Sequence, residues 1–184
     1  MRDLKIKKED AVLVVIDFQE RLMPVMKNSQ ELEEKMVKLI KGCIVLGVPI
    51  ITTQQYTKGL GETIDSIKKA MGEQFLPIEK TSFSAMGEPN FLEVLETSEK
   101  RTVILTGIEA HVCVQQTALD LLEEGYQVFL VNDAVSSRDN ADKKYAQRRI
   151  CEGGAIGTTY EAVLFELLGG AKEDGFKQIS GIVK

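Results

Sequence analysis

Three reactive side chains, widely separated in the sequence, could together support nucleophilic catalysis. Cys113 lies where the segment TGIEAHV leads into an amphipathic helix, so its sulfur could feel unpaired backbone N–H groups and the helix dipole, which favour a thiolate. Asp17 ends an otherwise apolar run, where an ionised carboxylate is costly unless something pairs with it. Lys80 would supply the positive charge that keeps both groups ionised if it lies close. This combination predicts a thiol nucleophile with a carboxylate base.

Each of these residues also has a structural interpretation. A cysteine at a helix start can simply be a small buried hydrophobe, and a strand-ending aspartate can belong to a turn or cap a helix. Most lysines are solvated surface residues, so Lys80 taken alone is weak evidence for a site. Cys43 lies in an apolar helical stripe and Cys151 in a late helix, so we interpret both as structural. No resolving cysteine lies near Cys113 in the sequence, which argues against a thiol redox protein.

The remaining candidate ligands argue against a metal or a nucleotide cofactor. His111 is the only histidine, which excludes a site built on several histidines. It lies two residues from Cys113, and residues at that spacing seldom face each other on a helix, so we interpret it as lining a pocket. The three cysteines lack CxxC pairing, and the glycine-containing segments match neither GxGxxG nor GxxxxGK[ST]. We expect no metal and no cofactor.

The elements that must position these residues alternate between strand and helix. Apolar or β-branched runs predict strands at Ala11–Ile16, Val48–Thr53, Thr102–Thr106 and Val128–Val131, with further possible strands at Phe75–Ile78 and Ala155–Thr158. Helical spacing predicts helices from a capping box at Asn28 and Glu31 to about Gly47, and at Ile64–Met71, Phe91–Leu95, Val112–Glu124, Tyr145–Cys151 and Tyr160–Leu168. This order predicts an α/β fold of three layers with a doubly wound, mainly parallel, Rossmann-like sheet.

In such sheets, ligands bind outside the carboxyl ends of the strands. The residues expected at those ends are Asp17, Gln55, Gly107 and Asp133. We interpret Asp133 as structural, because the two serines that follow it suggest a turn and a helix start.

Length and composition indicate one domain spanning residues 1–184. Hydrophobic residues make up 43% and charged residues 28% of the 184 residues, which fits a globular chain with a full core. A net charge of -5 gives no field that would attract nucleic acid or an anionic membrane. No apolar stretch approaches the roughly 20 residues that span a bilayer, and no secretory signal is visible. Three unpaired cysteines fit a reducing cytoplasm.

Four segments resemble the isochorismatase-like cysteine hydrolases in sequence, order and spacing. They read VVIDFQ, EKTSFSA, TGIEAHVCVQQTALDLLEEGYQV and VNDAVSSR, and together with TTQQYTKGLGET they look closest to the isochorismatase-domain-containing hydrolases. The resemblance implies that Asp17, Lys80 and Cys113 form a catalytic triad, that the peptide between Ile108 and Glu109 is cis, and that the chain forms a homo-oligomer.

The resemblance also implies a mechanism. Asp17 would take the thiol proton while Cys113 attacks a carbonyl carbon of a small amide-like substrate, and water would then hydrolyse the thioester. Backbone N–H groups of Glu109 and Cys113 would hold the oxyanion. The residues expected to contact the substrate are Phe18, Gln55, Phe83 and His111.

Two departures from related enzymes narrow the reaction. Zinc-dependent nicotinamidases have an aspartate and histidines after the second strand, where this chain reads TTQQYTKGLG, so nicotinamidase activity is not expected. Isochorismatases proper can hydrolyse a vinyl ether without a cysteine nucleophile, whereas this chain has Cys113. Amide hydrolysis is the leading hypothesis. Vinyl ether hydrolysis, or a binding module that keeps the fold without efficient turnover, remain the alternatives.

Overall fold

Six strands form a single parallel sheet in the order β3-β2-β1-β4-β5-β6, in a computed structural model that describes residues 4–184. The strands are β1 Ala11–Ile16, β2 Ile50–Gln55, β3 Ile78–Lys80, β4 Thr102–Ile108, β5 Gln127–Ser136 and β6 Ile156–Thr158. All neighbouring pairs run parallel, and the strand order reverses between β1 and β4. This arrangement confirms the predicted doubly wound α/β fold and creates a crevice between the carboxyl ends of β1 and β4.

Helices cover both faces of the sheet and complete the predicted three layers. They are α1 Ser29–Leu46, α2 Thr57–Leu60, α3 Asp65–Met71, α4 Pro89–Thr97, α5 Gln115–Glu123, α6 Asn140–Gly153, α7 Tyr160–Leu168 and α8 Phe176–Val183. One face of the sheet packs against α1, α3, α7 and α8, and the other packs against α4, α5 and α6. Two hydrophobic cores result, one on each side of the sheet.

Strand β1 shows why its sequence is apolar throughout. All six of its side chains are fully buried. Alternate residues belong to different cores, with Leu13 and Val15 on the α1 side and Val14 and Ile16 on the α5 side. A central parallel strand has no solvent face, so a polar side chain anywhere along it would be buried. Asp17, the residue directly after β1, is the first polar side chain in this run, and it is fully buried as well.

The start of α1 differs from the sequence prediction. Asn28 precedes the helix in the left-handed conformation, with φ 54°, and its side chain makes no capping hydrogen bond. A capping box requires an extended backbone at this position. Asparagine tolerates the left-handed conformation better than most residues do, and here that tolerance shapes the turn.

Several strand boundaries also differ from the prediction, and those of β3 and β5 bear on the candidate residues. β3 begins at Ile78, three residues later than predicted, because Gly72–Gln74 forms a 3-10 turn that accepts the N–H of Phe75. β5 extends to Ser136, so Asp133 lies within the strand. Its Oδ1 accepts the N–H of Tyr160 at 2.9 Å, which makes Asp133 a structural residue at the start of α7.

Gly107 allows β4 to approach β1 closely at the carboxyl edge of the sheet. Its φ of 139° is disfavoured for residues with a side chain, and a Cβ there would lie 2.6 Å from the carbonyl oxygen of Ile16. The β4–β5 register shifts between Leu105 and Gly107. Glycine is therefore needed immediately before the segment that leads to Cys113.

Candidate active site

The three predicted catalytic residues come from different elements and meet at the carboxyl edge of the sheet. Asp17 follows β1 directly, Lys80 is the last residue of β3, and Cys113 lies in a π-helical turn, Ala110–Val114, between β4 and α5. Their relative exposures are 0%, 1% and 6%. π-Helical turns are rare and often occur at functional sites. The fold thus buries a carboxylate, an ammonium and a thiol together.

Asp17 is held in an unusual conformation with one oxygen left available. Its φ is 55°, a left-handed value that is uncommon outside glycine. Oδ1 accepts a hydrogen bond from Thr53 Oγ1 at 2.7 Å. Oδ2 lies 2.9 Å from Lys80 Nζ, an ion-pair contact that does not have the angles of a hydrogen bond. Asp17 therefore has a buried lone pair that can accept a proton.

The hydrogen bonds of Lys80 explain why that oxygen is free. An ammonium has three N–H groups, and those of Lys80 are directed at Gln55 Oε1, Phe83 O and Ser82 O, at 2.5, 3.0 and 3.2 Å. Nζ thus has four oxygen neighbours for its three N–H groups, and Asp17 Oδ2 is the one outside hydrogen-bond geometry. The carboxylate of Asp17 and the amine of Lys80 lie side by side in a buried site.

Cys113 is the third member of the cluster, and its thiol is protonated at neutral pH. Burial raises the pKa of Cys113 to about 12, and the charge of Asp17 and a hydrogen bond to its carboxylate raise it too, while Lys80 lowers it. Both partners are within reach of the sulfur, because each exerts a hydrogen-bond effect on it. Burial thus opposes the thiolate that the helix start was expected to favour.

We predict that Asp17→Asn accelerates the alkylation of Cys113 by iodoacetamide. Removing the carboxylate charge that raises the thiol pKa increases the thiolate fraction, and only the thiolate reacts. The measurement is the alkylation rate at about pH 9 by peptide mass spectrometry. Cys43, whose pKa burial raises to about 12, is the internal control and should stay unreactive in both proteins. A slower reaction at Cys113 in the variant would contradict this electrostatic assignment.

The segment before Cys113 contains a cis peptide between Ile108 and Glu109, as the family resemblance implies. The Glu109 carboxylate accepts hydrogen bonds from the backbone N–H and from Nε of Arg138, both at 3.0 Å. His111 Nδ1 lies 2.9 Å from Ser137 Oγ. These contacts hold the segment before Cys113 against the residues that follow β5. The backbone of this segment is the predicted oxyanion site.

The four predicted substrate contacts lie in different environments. Phe18 is fully buried in the core on the α1 side, and Phe83 is 54% exposed. Gln55 is buried, and it binds Lys80 through Oε1 and the carbonyl of Thr81 through Nε2. His111 is partly exposed and faces Ser137, not the sulfur. Gln55 thus directly supports the lysine, and the contacts of all four residues with a substrate remain predictions.

Several polar residues that build the site were not singled out from the sequence. Thr53 binds Asp17, and Gln19 is fully buried, where it donates to the carbonyl of Gln55 and accepts its N–H. Thr117 donates to the carbonyl of Cys113, and Glu88 accepts the N–H of Ser82, two residues after Lys80. The signal for Thr53 was the run of polar residues in β2, IITTQQ, which is unusual for a buried strand.

A cavity of about 850 Å³ lies elsewhere, lined by residues such as Leu95, Arg101 and Tyr126 at the amino ends of β4 and β5. We do not assign the chemistry to it, because ligands of doubly wound sheets bind at the opposite edge. Within residues 4–184, no cluster of three or more histidine, cysteine or acidic side chains could hold a metal ion. In the same part of the chain, no helix has the length and hydropathy to cross a bilayer.

Comparison with known proteins gives a consistent family match. A model of the isochorismatase domain matches residues 11–162. The chain is 38% identical over 173 residues to isochorismatase domain-containing protein 1 of Salmo salar. The match covers 94% of this chain and 60% of that protein. This chain therefore spans less than two thirds of that relative's length.

Solved structures with the same fold include two whose descriptions bear on function. A protein described as MAR1 ribonuclease from Caenorhabditis elegans superposes with a TM-score of 0.92 at 39% identity, covering 97% of this chain and 92% of that one. YcaC of Escherichia coli, described as an octameric hydrolase of unknown specificity, has a TM-score of 0.92 at 22% identity, covering 99% and 92%. At that identity, the second match shows the fold alone.

Proposed function

Since this chain belongs to the isochorismatase-like hydrolase family, we propose that it is a cysteine-dependent hydrolase of small amide-like substrates, with Cys113, Asp17 and Lys80 as its catalytic residues. The observation that carries this proposal is the free Oδ2 of Asp17, buried beside Lys80 and within reach of the protonated thiol of Cys113. A neutral thiol is a weak nucleophile, so a base placed beside it is what the reaction needs.

The proposed reaction has two halves, acylation of Cys113 and hydrolysis of the thioester, and Asp17 accepts and returns one proton in each. Asp17 takes the proton of Cys113 as the sulfur attacks the substrate carbonyl carbon, and the S–C bond forms. The C–N bond then breaks, and the nitrogen leaves with the proton held by Asp17. In the second half, Asp17 takes a proton from water as water attacks the thioester. A carboxylic acid leaves, and the proton returns to the sulfur, so that the enzyme is regenerated.

Charge stabilisation comes from groups that do not change protonation. The backbone N–H groups of Glu109 and Cys113 are proposed to hold the oxyanion that forms at the carbonyl oxygen. Lys80 is proposed to balance the charge of Asp17 before and after proton transfer. A substrate pocket at this edge of the sheet would involve Phe18, Gln55, Phe83 and His111.

The C. elegans neighbour is described as a ribonuclease, but nothing in this chain favours RNA as substrate. Its net charge is -5, which offers no attraction to a phosphate backbone. Lys80, the cation of the site, is buried and already binds three oxygen acceptors. RNA therefore serves as a negative control in the functional test.

The test is amine release from a panel of small amides, run beside a vinyl ether substrate and RNA, with hydroxylamine added as a competing nucleophile. A thioester partitions between water and hydroxylamine, so hydroxamate formation at the expense of the acid is expected with the amides. Vinyl ether turnover without hydroxamate would favour the alternative reaction. Absence of all turnover, with ligand binding retained in Cys113→Ala, would favour a binding module.

We also propose that the chain forms a homo-oligomer. Tyr56 and Phe83 follow β2 and β3 at the carboxyl edge of the sheet and are 52% and 54% exposed, so a second copy of the chain could cover both aromatic side chains. Light scattering is expected to give a molar mass of at least twice the 20.4 kDa of one chain. Tyr56→Ser with Phe83→Ser is expected to lower that mass, and a monomeric wild type would contradict the proposal.

A further inference from the structure

The loop after β3, residues 81–85, supplies two of the three acceptors that occupy Lys80. Its carbonyls at Ser82 and Phe83 lie 3.2 and 3.0 Å from Nζ. If these carbonyls moved away, the two released N–H groups would need other acceptors in a buried site. Asp17 Oδ2 is already 2.9 Å from Nζ and has no donor in hydrogen-bond geometry, so it is the nearest replacement.

Such a replacement would disable the base. A carboxylate oxygen that accepts an N–H from Lys80 holds the cysteine proton less well, and the S–H group of Cys113 loses its acceptor. The position of loop 81–85 therefore decides whether Asp17 serves the lysine or the thiol. What holds this loop in place becomes a functional question.

Two side chains hold the loop from opposite ends. Thr117, fully buried in α5, accepts the N–H of Ala85 at 2.9 Å and donates to the carbonyl of Cys113 at 2.7 Å. It thus links the loop to the nucleophile turn through one hydroxyl. Glu88 Oε1 accepts the N–H of Thr81 and both the N–H and the hydroxyl of Ser82, at 2.8, 2.9 and 2.6 Å.

We propose that Thr117 and Glu88 are positioning residues that hold loop 81–85 so that its carbonyls occupy Lys80 and leave Asp17 Oδ2 free to accept the proton of Cys113. Neither residue touches the reacting atoms in this scheme. This role rests on the proposed function, because it assumes that Asp17 is the base for Cys113.

The test is Thr117→Val, which keeps the side-chain volume and removes the hydroxyl that accepts the N–H of Ala85. For an amide substrate, kcat is expected to fall at least about tenfold with KM unchanged, because the base is lost and not the binding. Thr117→Ser should restore kcat. Thr102→Val is the matched control: Thr102 is also a buried threonine with a bonded hydroxyl, at the far end of β4, and its loss should leave kcat unchanged.

A second readout needs no turnover. Thiolate absorbance, recorded in stopped-flow jumps to alkaline pH and corrected with Cys113→Ala, reports the ionisation of Cys113. The charged groups that act on this thiol are Asp17 and Lys80. In Thr117→Val the midpoint is expected to fall below that of wild type, because the thiol loses its carboxylate acceptor. Added exposure of the thiol would lower the midpoint as well, so the fall supports the positioning role only if Thr117→Ser restores the wild-type midpoint and the melting temperature of Thr117→Val is unchanged.

Glu88→Gln is the second variant if Thr117→Val does not fold, since a neutral amide oxygen accepts the three hydrogen bonds now made to the charged Oε1 more weakly. Glu93→Gln, an exposed glutamate in α4, the helix that begins directly after Glu88, is its control. An unchanged kcat, or an unchanged midpoint, in the folded variants would overturn the positioning role. Failure of the proposed function is distinguishable, because wild type would then release no amine while the thiol midpoint still responded.

Discussion

Replacing Cys113 by alanine is expected to reduce amide hydrolysis by about 10³-fold or more, because the residue that forms the covalent intermediate is gone. The fold should be kept. The cysteine is a small buried residue, and a methyl group fills most of the space of the thiol. The measurement is kcat/KM for the best amide of the panel, with the melting temperature recorded for both proteins.

The matched control is Cys151→Ala. Cys151 is a partly exposed cysteine in α6, and it takes no part in the cluster. Its replacement should leave kcat/KM within about twofold of wild type. If Cys113→Ala retained more than about a tenth of the wild-type activity, the covalent mechanism would be wrong.

Replacing Lys80 by methionine is expected to cost about 3–5 kcal/mol in the free energy of unfolding, because it leaves the carboxylate of Asp17 buried without its counter-charge. Both side chains of this ion pair are fully buried, with Nζ and Oδ2 2.9 Å apart. Methionine keeps the length and the apolar stem of the lysine. The measurement is urea denaturation at neutral pH.

A double mutant separates the charge from the shape. Asp17→Asn in the Lys80→Met background removes the unpaired charge and is expected to recover at least about 2 kcal/mol of stability. Activity should not return, because the base is still missing. If the double variant lost as much stability as the two single variants lose together, the buried ion pair would be contradicted.

Much of the fold could be predicted from the sequence because its signals are local. A continuous apolar run that ends at Asp17 requires a strand with no solvent face, and glycines after α1, α5 and α7 mark helix ends. The placement of Asp17 at the carboxyl edge followed from the parallel topology, whereas the nearness of Lys80 was only a condition of the hypothesis. The pairing of these residues with Cys113 came from the family resemblance, not from the spacing.

Other features depend on contacts that the sequence does not encode locally. Thr117 meets Ala85, which is 32 residues away in the chain, only after α5 packs on the sheet. The raised pKa of Cys113 could not be read from the sequence because burial, its largest cause, is a property of the folded protein. The capping box at Asn28 failed because side-chain types alone do not fix the backbone conformation at a helix start.

The central claim is that Cys113 is a nucleophile that becomes acylated with the help of Asp17. The most direct measurement is peptide mass spectrometry after acid quenching of wild type and Asp17→Asn during turnover of an amide substrate. The account predicts an acyl group on the peptide containing Cys113 in wild type, and little or none in Asp17→Asn. Amide turnover without any adduct, or an adduct on Cys43 or Cys151 instead, would contradict it.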